Sequence, residues 1–514
     1  MSISSYILSH FVNFPEKIAI IHNEKKISYK DLWKRSLYIA SQLNIQKGDV
    51  VLQVLEKGIE MIIGIISISI KGGVYCPFHP KDPLQRLQFI QEITNSLVIL
   101  TTHEHLDFVH NIKNISQVYS ISLNETSFKD NEEETYKLRE QVLSMDCVSY
   151  LPEDLVYLIS TSGTTGNPKL VSISQSSLTN LSKGLQTTLG WNSSDRILQL
   201  ARCSFDAQIP EIYTALELGS TIISISPHWV FDTRYLIDSI IKQEVTILFM
   251  VPSLITSFVK VTKRRAKDSF LPHIRSLITG GEAMVRDIVN QLSEVVDKNA
   301  IIIAYGPTEC TVFSTFFSFK DKELEEYKEY PHFPLGSPLP NYKCGIFDEE
   351  ENQVPLGTIG EIYISGKGLM YGYYNNSEIT NKAFTYIHGE KWYKTGDLGR
   401  EINNNVYYHE GRKDFQIKLN GQRLELGEIE SVIRNVHPDI TNIVVIKKVV
   451  LNSDELIAYI ESHNKELIVK CKEVCKQHLS SYMVPKYIIQ LESFPLTVNG
   501  KIDRKALPDP EIIF

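Results

Sequence analysis

Short apolar runs rich in β-branched residues alternate with amphipathic segments along most of this chain, and that alternation limits the folds open to it. Residues 18–21, 50–54 and 97–100 read as strands, and residues 29–43 and 60–70 read as the helices between them. The pattern resumes with strand candidates at 155–159, 197–200, 221–225, 246–250, 276–279 and 300–305. Strands that alternate with helices predict parallel sheets covered by helices, a layered α/β architecture. From about residue 335 short β runs punctuated by glycine, at 344–347, 360–365 and 406–409, predict a β-rich meander or barrel-like subdomain. A composition shift follows Gly411-Arg-Lys-Asp414, and the last hundred residues read as β, α, β, β, α, β, a small α+β unit. The expected division is a large N-terminal domain over 1–412 and a small C-terminal domain over 413–514.

A length of 514 residues exceeds one ordinary core. Hydrophobic and charged contents of 43% and 22% are those of a globular protein, and a net charge of −8 argues against a nucleic-acid partner. The basic run over 260–267 reads as a solvated loop or helix end. Seven scattered cysteines form no Cys-x-x-Cys pair, and Cys471 and Cys475, one helical turn apart, suit a reduced pair on a helix. The N-terminus lacks a basic leader region. The longest apolar run, 58–70, contains Glu60 and is too short to span a bilayer. The expectation is a cytoplasmic chain with no membrane partner. The polar stretches 124–153 and 320–330 read as solvated surface.

The segment Tyr157-Leu-Ile-Ser-Thr-Ser-Gly-Thr-Thr-Gly-Asn-Pro-Lys169 runs from an apolar strand into a loop of hydroxyls and glycines. Gly163 and Gly166 would let the backbone approach an anion and adopt positive φ. Ser160, Thr161, Ser162, Thr164 and Thr165 add hydroxyl donors, and Lys169 adds a point charge. Two residues separate the glycines and Leu170 follows the lysine, so this is not a Walker A loop. A Ser/Thr/Gly surface turn is the bland alternative.

Further segments fit other parts of a nucleotide. In Tyr305-Gly-Pro-Thr-Glu309, Tyr305 could stack on a purine, and Thr308 and Glu309 could meet phosphates and magnesium, which prefers oxygen ligands. In Tyr393-Lys-Thr-Gly-Asp397 a carboxylate after a tight turn could accept from ribose hydroxyls, or simply cap a loop. Gly411-Arg-Lys-Asp-Phe-Gln-Ile-Lys418 has the charge density of a linker or a hinge. Asn420 to Glu430 enters a helix with acidic residues in its first turn. Asn499-Gly-Lys-Ile-Asp-Arg504 lies near the C-terminus.

In their order these segments, with Phe205-Asp206, resemble the adenylate-forming superfamily of acyl-CoA synthetases, luciferases and peptide-synthetase adenylation domains, from about Phe14 to Pro508. The wording at 411–418 and 499–504 is closest to the branch that adenylates amino acids. The resemblance implies attack of a carboxylate on ATP to give an acyl-adenylate and pyrophosphate, then transfer to a thiol. Residues 161–169 (Thr161, Ser162, Gly163, Thr164, Thr165, Gly166 and Lys169) would hold the β- and γ-phosphates. Thr308 would meet the α-phosphate and Glu309 the Mg2+ ion. Tyr305 would stack on adenine with Gly281 also at the nucleotide, and Asp397 with Arg412 would hold the ribose. Lys501 would be the catalytic lysine, a cation between two reacting anions. It would travel on a mobile C-terminal domain hinged over Asp414 to Lys418, and Gly421 would line the path of a pantetheine thiol.

In that branch Asp206 meets the α-ammonium group of the substrate, although a helix N-cap is its plain alternative. The other pocket positions carried over are Phe205, Ala207, Pro210, Phe249, Ile278, Gly280, Ala304, Val312 and Phe313. They are apolar and imply a small or medium aliphatic amino acid, loaded on the phosphopantetheine of a carrier protein. Leu170, Lys71 and Pro210 depart from the branch's usual residues. Three alternatives stay open: a D-alanine–carrier protein ligase, against which Gly280 weighs, an acyl-CoA synthetase, which Asp206 opposes, and a non-catalytic nucleotide-binding homologue. His103, His105 and His110 read as a solvated loop.

Overall fold

The computed structural model describes residues 2–123, 150–163, 167–226, 232–265, 270–320, 324–414, 416–451, 453–464, 466–495 and 502–510. Thr164, Thr165, Gly166 and Lys501 therefore lie outside the described residues, as does most of the polar stretch over 124–153. Contacts group the chain into two compact units. The first comprises Met1–His79, Gln91–Ile159 and Leu170–Lys413, and the second comprises Pro80–Ile90, Ser160–Lys169 and Asp414–Phe514.

Two large sheets organise the fold. The seven-stranded sheet runs Gly372–Tyr373, Lys169–Ser174, Leu155–Thr161, Val74–Phe78, Val50–Val54, Val98–Thr102, Gln117–Ile121. The nine-stranded sheet runs Ser337–Pro338, Thr315–Ser318, Ile301–Tyr305, Ser276–Gly280, Ile247–Phe249, Arg196–Gln199, Thr221–Ser224, Ile18–His22, Lys25–Ser28. The strands from Ile301–Tyr305 to Ile18–His22 pair in parallel, as the β–α alternation predicts. Antiparallel strands finish both of its edges.

The helices follow from local sequence. Ser28 caps Tyr29–Gln42 by accepting from Asp31 N at 3.0 Å. That helix buries Leu32, Trp33, Ser36, Leu37, Ile39 and Ala40, one face at helical spacing. Ile59–Ile70 buries every residue but Glu60 and sits inside the largest core cluster. That cluster draws Val51, Tyr75 and Tyr157 from one large sheet and Ile197, Ile222, Ile278 and Ile302 from the other. Leu248, Leu277, Ile301 and Ile303 pack in a second cluster on the opposite face of the nine-stranded sheet.

A third, antiparallel sheet joins Tyr342–Phe347, Gly360–Gly366, Glu390–Asn403, Phe384–Ile387 and Val406–Arg412. This is the β-rich region the glycine-punctuated runs announce. Asp397, expected after a tight turn, lies inside the long strand Glu390–Asn403. The turn is a β-bulge: Glu361 pairs with Leu398 and Tyr363 with Lys394, leaving the extra length of the other strand at Gly396, whose φ is 73°. The stretch 320–330 is not wholly solvated either, because Tyr327 packs edge-on against Phe317 at 5.1 Å. The basic run over 260–267 begins within the helix Pro252–Arg265, and its last residues lie outside the described ones.

The second unit holds the hairpin Gln416–Leu419 and Gln422–Glu425, the helices Leu426–Arg434 and Leu467–His478, and a sheet of Asn442–Val450, Ser453–Glu461 and Tyr487–Leu491. The sequence reading lacks the strand Gln422–Glu425. Asn420 and Gly421, at φ 50° and 75°, make the two-residue turn that Asn-Gly favours. Cys471 and Cys475 are reduced and buried, facing one core with Ile429, Ile433 and Val445.

Candidate active site

The strand Ile301–Tyr305 and its antiparallel neighbour Thr315–Ser318 are joined by a loop that Ser314 N closes by donating to Tyr305 O at 2.8 Å. Thr308–Cys310 forms a single helical turn within it. Thr311 and Val312 then take φ values of 56° and 70°. For β-branched residues this left-handed conformation costs about 1–3 kcal/mol each. Thr311 Oγ1 donates to Gly368 O at 2.7 Å and Phe313 N to Thr311 O at 2.8 Å, which hold the strained turn.

The loop presents Glu309 fully buried, with Thr308 half-buried beside it. Tyr373 Oη donates to Glu309 Oε1 at 2.8 Å, and Met370 N donates to Glu309 O at 2.7 Å. Sequence reasoning missed Tyr373, which sits on an edge strand far along the chain. Among the described residues no group of three or more His, Cys, Asp or Glu could hold a metal ion. A single buried carboxylate fits the mode in which Mg2+ takes one or two protein carboxylates and completes its shell with water and substrate phosphates.

Asp397 is the centre of a second cluster. Its Oδ2 accepts from Tyr305 Oη at 2.6 Å and its Oδ1 from Arg412 Nη1 at 2.6 Å, with His409 Nε2 at 3.7 Å. Asp397 and Arg412 are direct partners across two strands. Burial first, and then the Asp397 charge, push the Tyr305 hydroxyl well above the ordinary phenol range, so it stays a donor. A carboxylate has about four acceptor sites, which leaves room for two ribose hydroxyls.

Strand register gathers four pocket candidates on one face. Phe249 pairs with Ile278, and Gly280, two residues on, pairs with Ala304. Phe316, opposite Ala304, shares that face. Phe313 closes it, its ring 5.7 Å from that of Phe249 and 5.4 Å from that of Phe316. A Cβ on Gly280 would meet Ala304 O at 2.4 Å, so that position admits nothing larger without a backbone shift. Gly281 follows at φ 83°.

Phe205, Asp206 and Ala207 are half-buried and lead into a helical stretch that includes Pro210–Thr214. Asp206 O accepts from Ile209 N at 2.8 Å, so its backbone takes part in the first turn. Its charge acts on the fully buried Tyr157 hydroxyl, which burial chiefly pushes upward.

The strand Leu155–Thr161 extends past the expected Ile159, so that Thr161, in the second unit, ends it. Thr161 Oγ1 is buried with no hydrogen-bond partner among the described residues. A buried hydroxyl of this kind is a ready donor to a phosphate. Gly163 is not among the positive-φ glycines. Its need is close approach instead, since an added Cβ would lie 2.0 Å from Asn167 O. Gly163 N donates to Glu428 Oε2 at 3.3 Å, and Arg86 Nη1 donates to Glu428 Oε1 at 2.9 Å. Lys169 begins the next strand, with Leu170 buried beside it. Asp414 Oδ1 accepts from Gln416 N at 3.1 Å, and Lys418 O from Lys447 Nζ at 3.2 Å.

The family model described as AMP-binding enzyme matches residues 9–374. The chain belongs to the AMP-binding enzyme family. Together with the relatives that follow, that membership supports an AMP-forming ligase. Zwittermicin A synthase ZmaJ of Bacillus cereus is 32% identical over 504 residues, covering 96% of this AMP-binding enzyme and 92% of that protein. Tyrocidine synthase 1 of Brevibacillus parabrevis is 32% identical over 506 residues, covering 97% of this chain. The chain spans 44% of the length of that relative. The solved structure of holo-AB3403, a four-domain nonribosomal peptide synthetase bound to AMP and glycine, matches with a TM-score of 0.69 and 28% identity, covering 99% of this AMP-binding enzyme and 36% of that chain. The layered α/β fold with its β-rich region agrees with that likeness. No helix among the described residues is long and apolar enough to cross a membrane.

Proposed function

We propose that this chain joins the carboxylate of a small or medium apolar α-amino acid to the α-phosphate of ATP, releases pyrophosphate, and passes the aminoacyl group to the phosphopantetheine thiol of a carrier protein, with AMP as the leaving group. Asp206 carries the amino-acid half of this reading. It is a half-buried carboxylate, the charge that would attract an ammonium group, among candidate pocket positions that are otherwise apolar. The likeness to peptide synthases supports it.

In this reading Asp397 and Arg412 orient the ribose, Tyr305 packs on the adenine, and Thr308 contacts the α-phosphate. Glu309 holds the Mg2+ that comes with the nucleotide, which screens the phosphate charge. Residues 161–169 grip the leaving pyrophosphate and Lys501 stabilises charge in the transition state. Phe249 and Phe313, ring to ring at 5.7 Å, favour a short side chain.

The test is ATP–pyrophosphate exchange across a panel of amino acids, D- and L-alanine included. Exchange should be strongest with a small aliphatic α-amino acid and fall at least about a hundredfold in Asp206→Ala, the cost of losing a charge-assisted contact in a desolvated site. Preference for glutamate, lysine or arginine would overturn the pocket reading. Equal turnover of acids that lack the amine would overturn the substrate class.

A further inference from the structure

One peptide group in the first unit is gripped from both sides by buried ionisable side chains. Lys57 Nζ donates to Leu200 O at 3.0 Å. Ala201 N, on the same peptide bond, donates to Glu211 Oε2 at 3.0 Å and Oε1 at 3.2 Å. Lys57 and Glu211 are 8% and 2% exposed, so both bonds are made away from water. Lys57 follows a strand of the seven-stranded sheet, whereas Leu200 follows a strand of the nine-stranded sheet. The clamp therefore ties the end of one sheet to the other.

The chain that leaves this peptide reaches Asp206 in five residues. It is tied on the way by Cys203 Sγ, which donates to Leu55 O at 3.2 Å, and by Phe205 N, which donates to Arg202 O at 3.0 Å. Gln208 Nε2 donates to Cys203 O. Neutral hydrogen bonds would suffice to satisfy a peptide. Two ionisable groups are expensive to bury, and a bond to a charged group holds geometry more tightly than one between neutral groups.

We propose that Lys57 and Glu211 are positioning residues for the amino-acid substrate, fixing through the Leu200–Ala201 peptide where Asp206 meets the ammonium group. This rests on the amino-acid reading given above. Neither side chain touches substrate; both act through the loop. A loop held this way gives a site whose charge is already in place before substrate arrives.

The experiment is ATP–pyrophosphate exchange with the best amino acid of the panel, with KM for the amino acid and for ATP measured separately. Lys57→Met should raise the amino-acid KM roughly tenfold or more while the ATP KM stays within about twofold, and Lys57→Arg should restore most of the loss. Glu211→Gln, which keeps an acceptor for Ala201 N, should fall between the two. Parallel rises in both KM values, or no rise, would overturn the proposal while leaving the activity itself intact. Should Lys57→Met fail to fold by circular dichroism, the double variant Lys57→Met, Glu211→Gln decides by the same split, and its failure to fold also counts against a positioning role. A wild-type chain with no amino-acid-dependent exchange would overturn the functional reading and this proposal together.

Discussion

Tyr305 and Asp397 lie 92 residues apart in sequence and share a 2.6 Å hydrogen bond, phenol to carboxylate, at a buried site. The bond joins a strand of the nine-stranded sheet to one of the β-rich sheet. In the proposed function it orients the carboxylate that receives the ribose. Tyr305→Phe should raise the ATP KM roughly threefold to tenfold with little change in kcat. Asp397→Asn, which also strips Arg412 of its charged partner, should cost roughly a hundredfold in kcat/KM for ATP. Unchanged ATP kinetics in both variants would separate this pair from the nucleotide site.

Tyr373 offers a test of the proposed metal ligand that leaves the ligand itself in place. Its hydroxyl fixes Glu309 Oε1. Loss of an outer-shell partner commonly weakens metal affinity about tenfold or more. Titrating exchange activity with magnesium should show a half-saturation shifted upward by about that factor in Tyr373→Phe. An identical magnesium titration would remove Glu309 from the metal.

Arg86 and Glu428, 6% and 1% exposed at their side chains, form a buried pair within the second unit. Breaking such a pair from one side costs about 3–5 kcal/mol, because the surviving buried group loses its counter-ion. Arg86→Met should therefore lower the chemical-denaturation midpoint clearly. Arg86→Met with Glu428→Met should recover a large part of it, less the bond lost from Gly163 N. A double variant as weak as the single one would mean that the pair is not the source of the loss.

Acid should weaken the fold partly through His10, His22 and His332. Burial holds each imidazole below its ordinary value, and nearby Lys25 and Lys57 add to this at His22. The folded state thus binds a proton less readily than the unfolded chain, whose imidazoles titrate near about 6.5. The stability this contributes is complete above that value and is lost as pH falls through the lower folded values. Burial shifts Glu211 and Glu217 upward, and those carboxyls favour the folded state as pH falls, so the comparison must be by variant. Differential scanning from pH 7 to about 5 should show a shallower fall in melting temperature for His22→Gln than for wild type. Parallel curves would exclude His22.

The parallel strands of the two large sheets were legible because apolar runs alternate with amphipathic stretches on either side of the polar stretch 124–153, and Val50–Val54 begins and ends where the residues say it should. Local glycine signals were less faithful. Gly163 serves close packing where positive φ was expected, and Gly396 marks a bulge within a strand where a turn was expected. Both outcomes depend on what packs against the glycine, which no local window contains. The hairpin at Asn420-Gly421 did carry a local signal, and acidic residues that suggest a helix start obscured it. Tyr373 and Lys57 had none, since their partners stand 64 and 143 positions away.

The strained turn at Thr311 and Val312 has a bearing on how such an enzyme could acquire a new substrate. The proposed metal carboxylate, Glu309, and the pocket positions Val312 and Phe313 fall within five consecutive residues of one tightly tethered loop. Reshaping the pocket there would disturb the nucleotide chemistry at the same stroke. Phe249 and Ile278 sit on separate strands of a rigid sheet, with no backbone tension to release. Substitutions that redirect specificity without loss of turnover should accumulate at those two positions first, and the loop should change last.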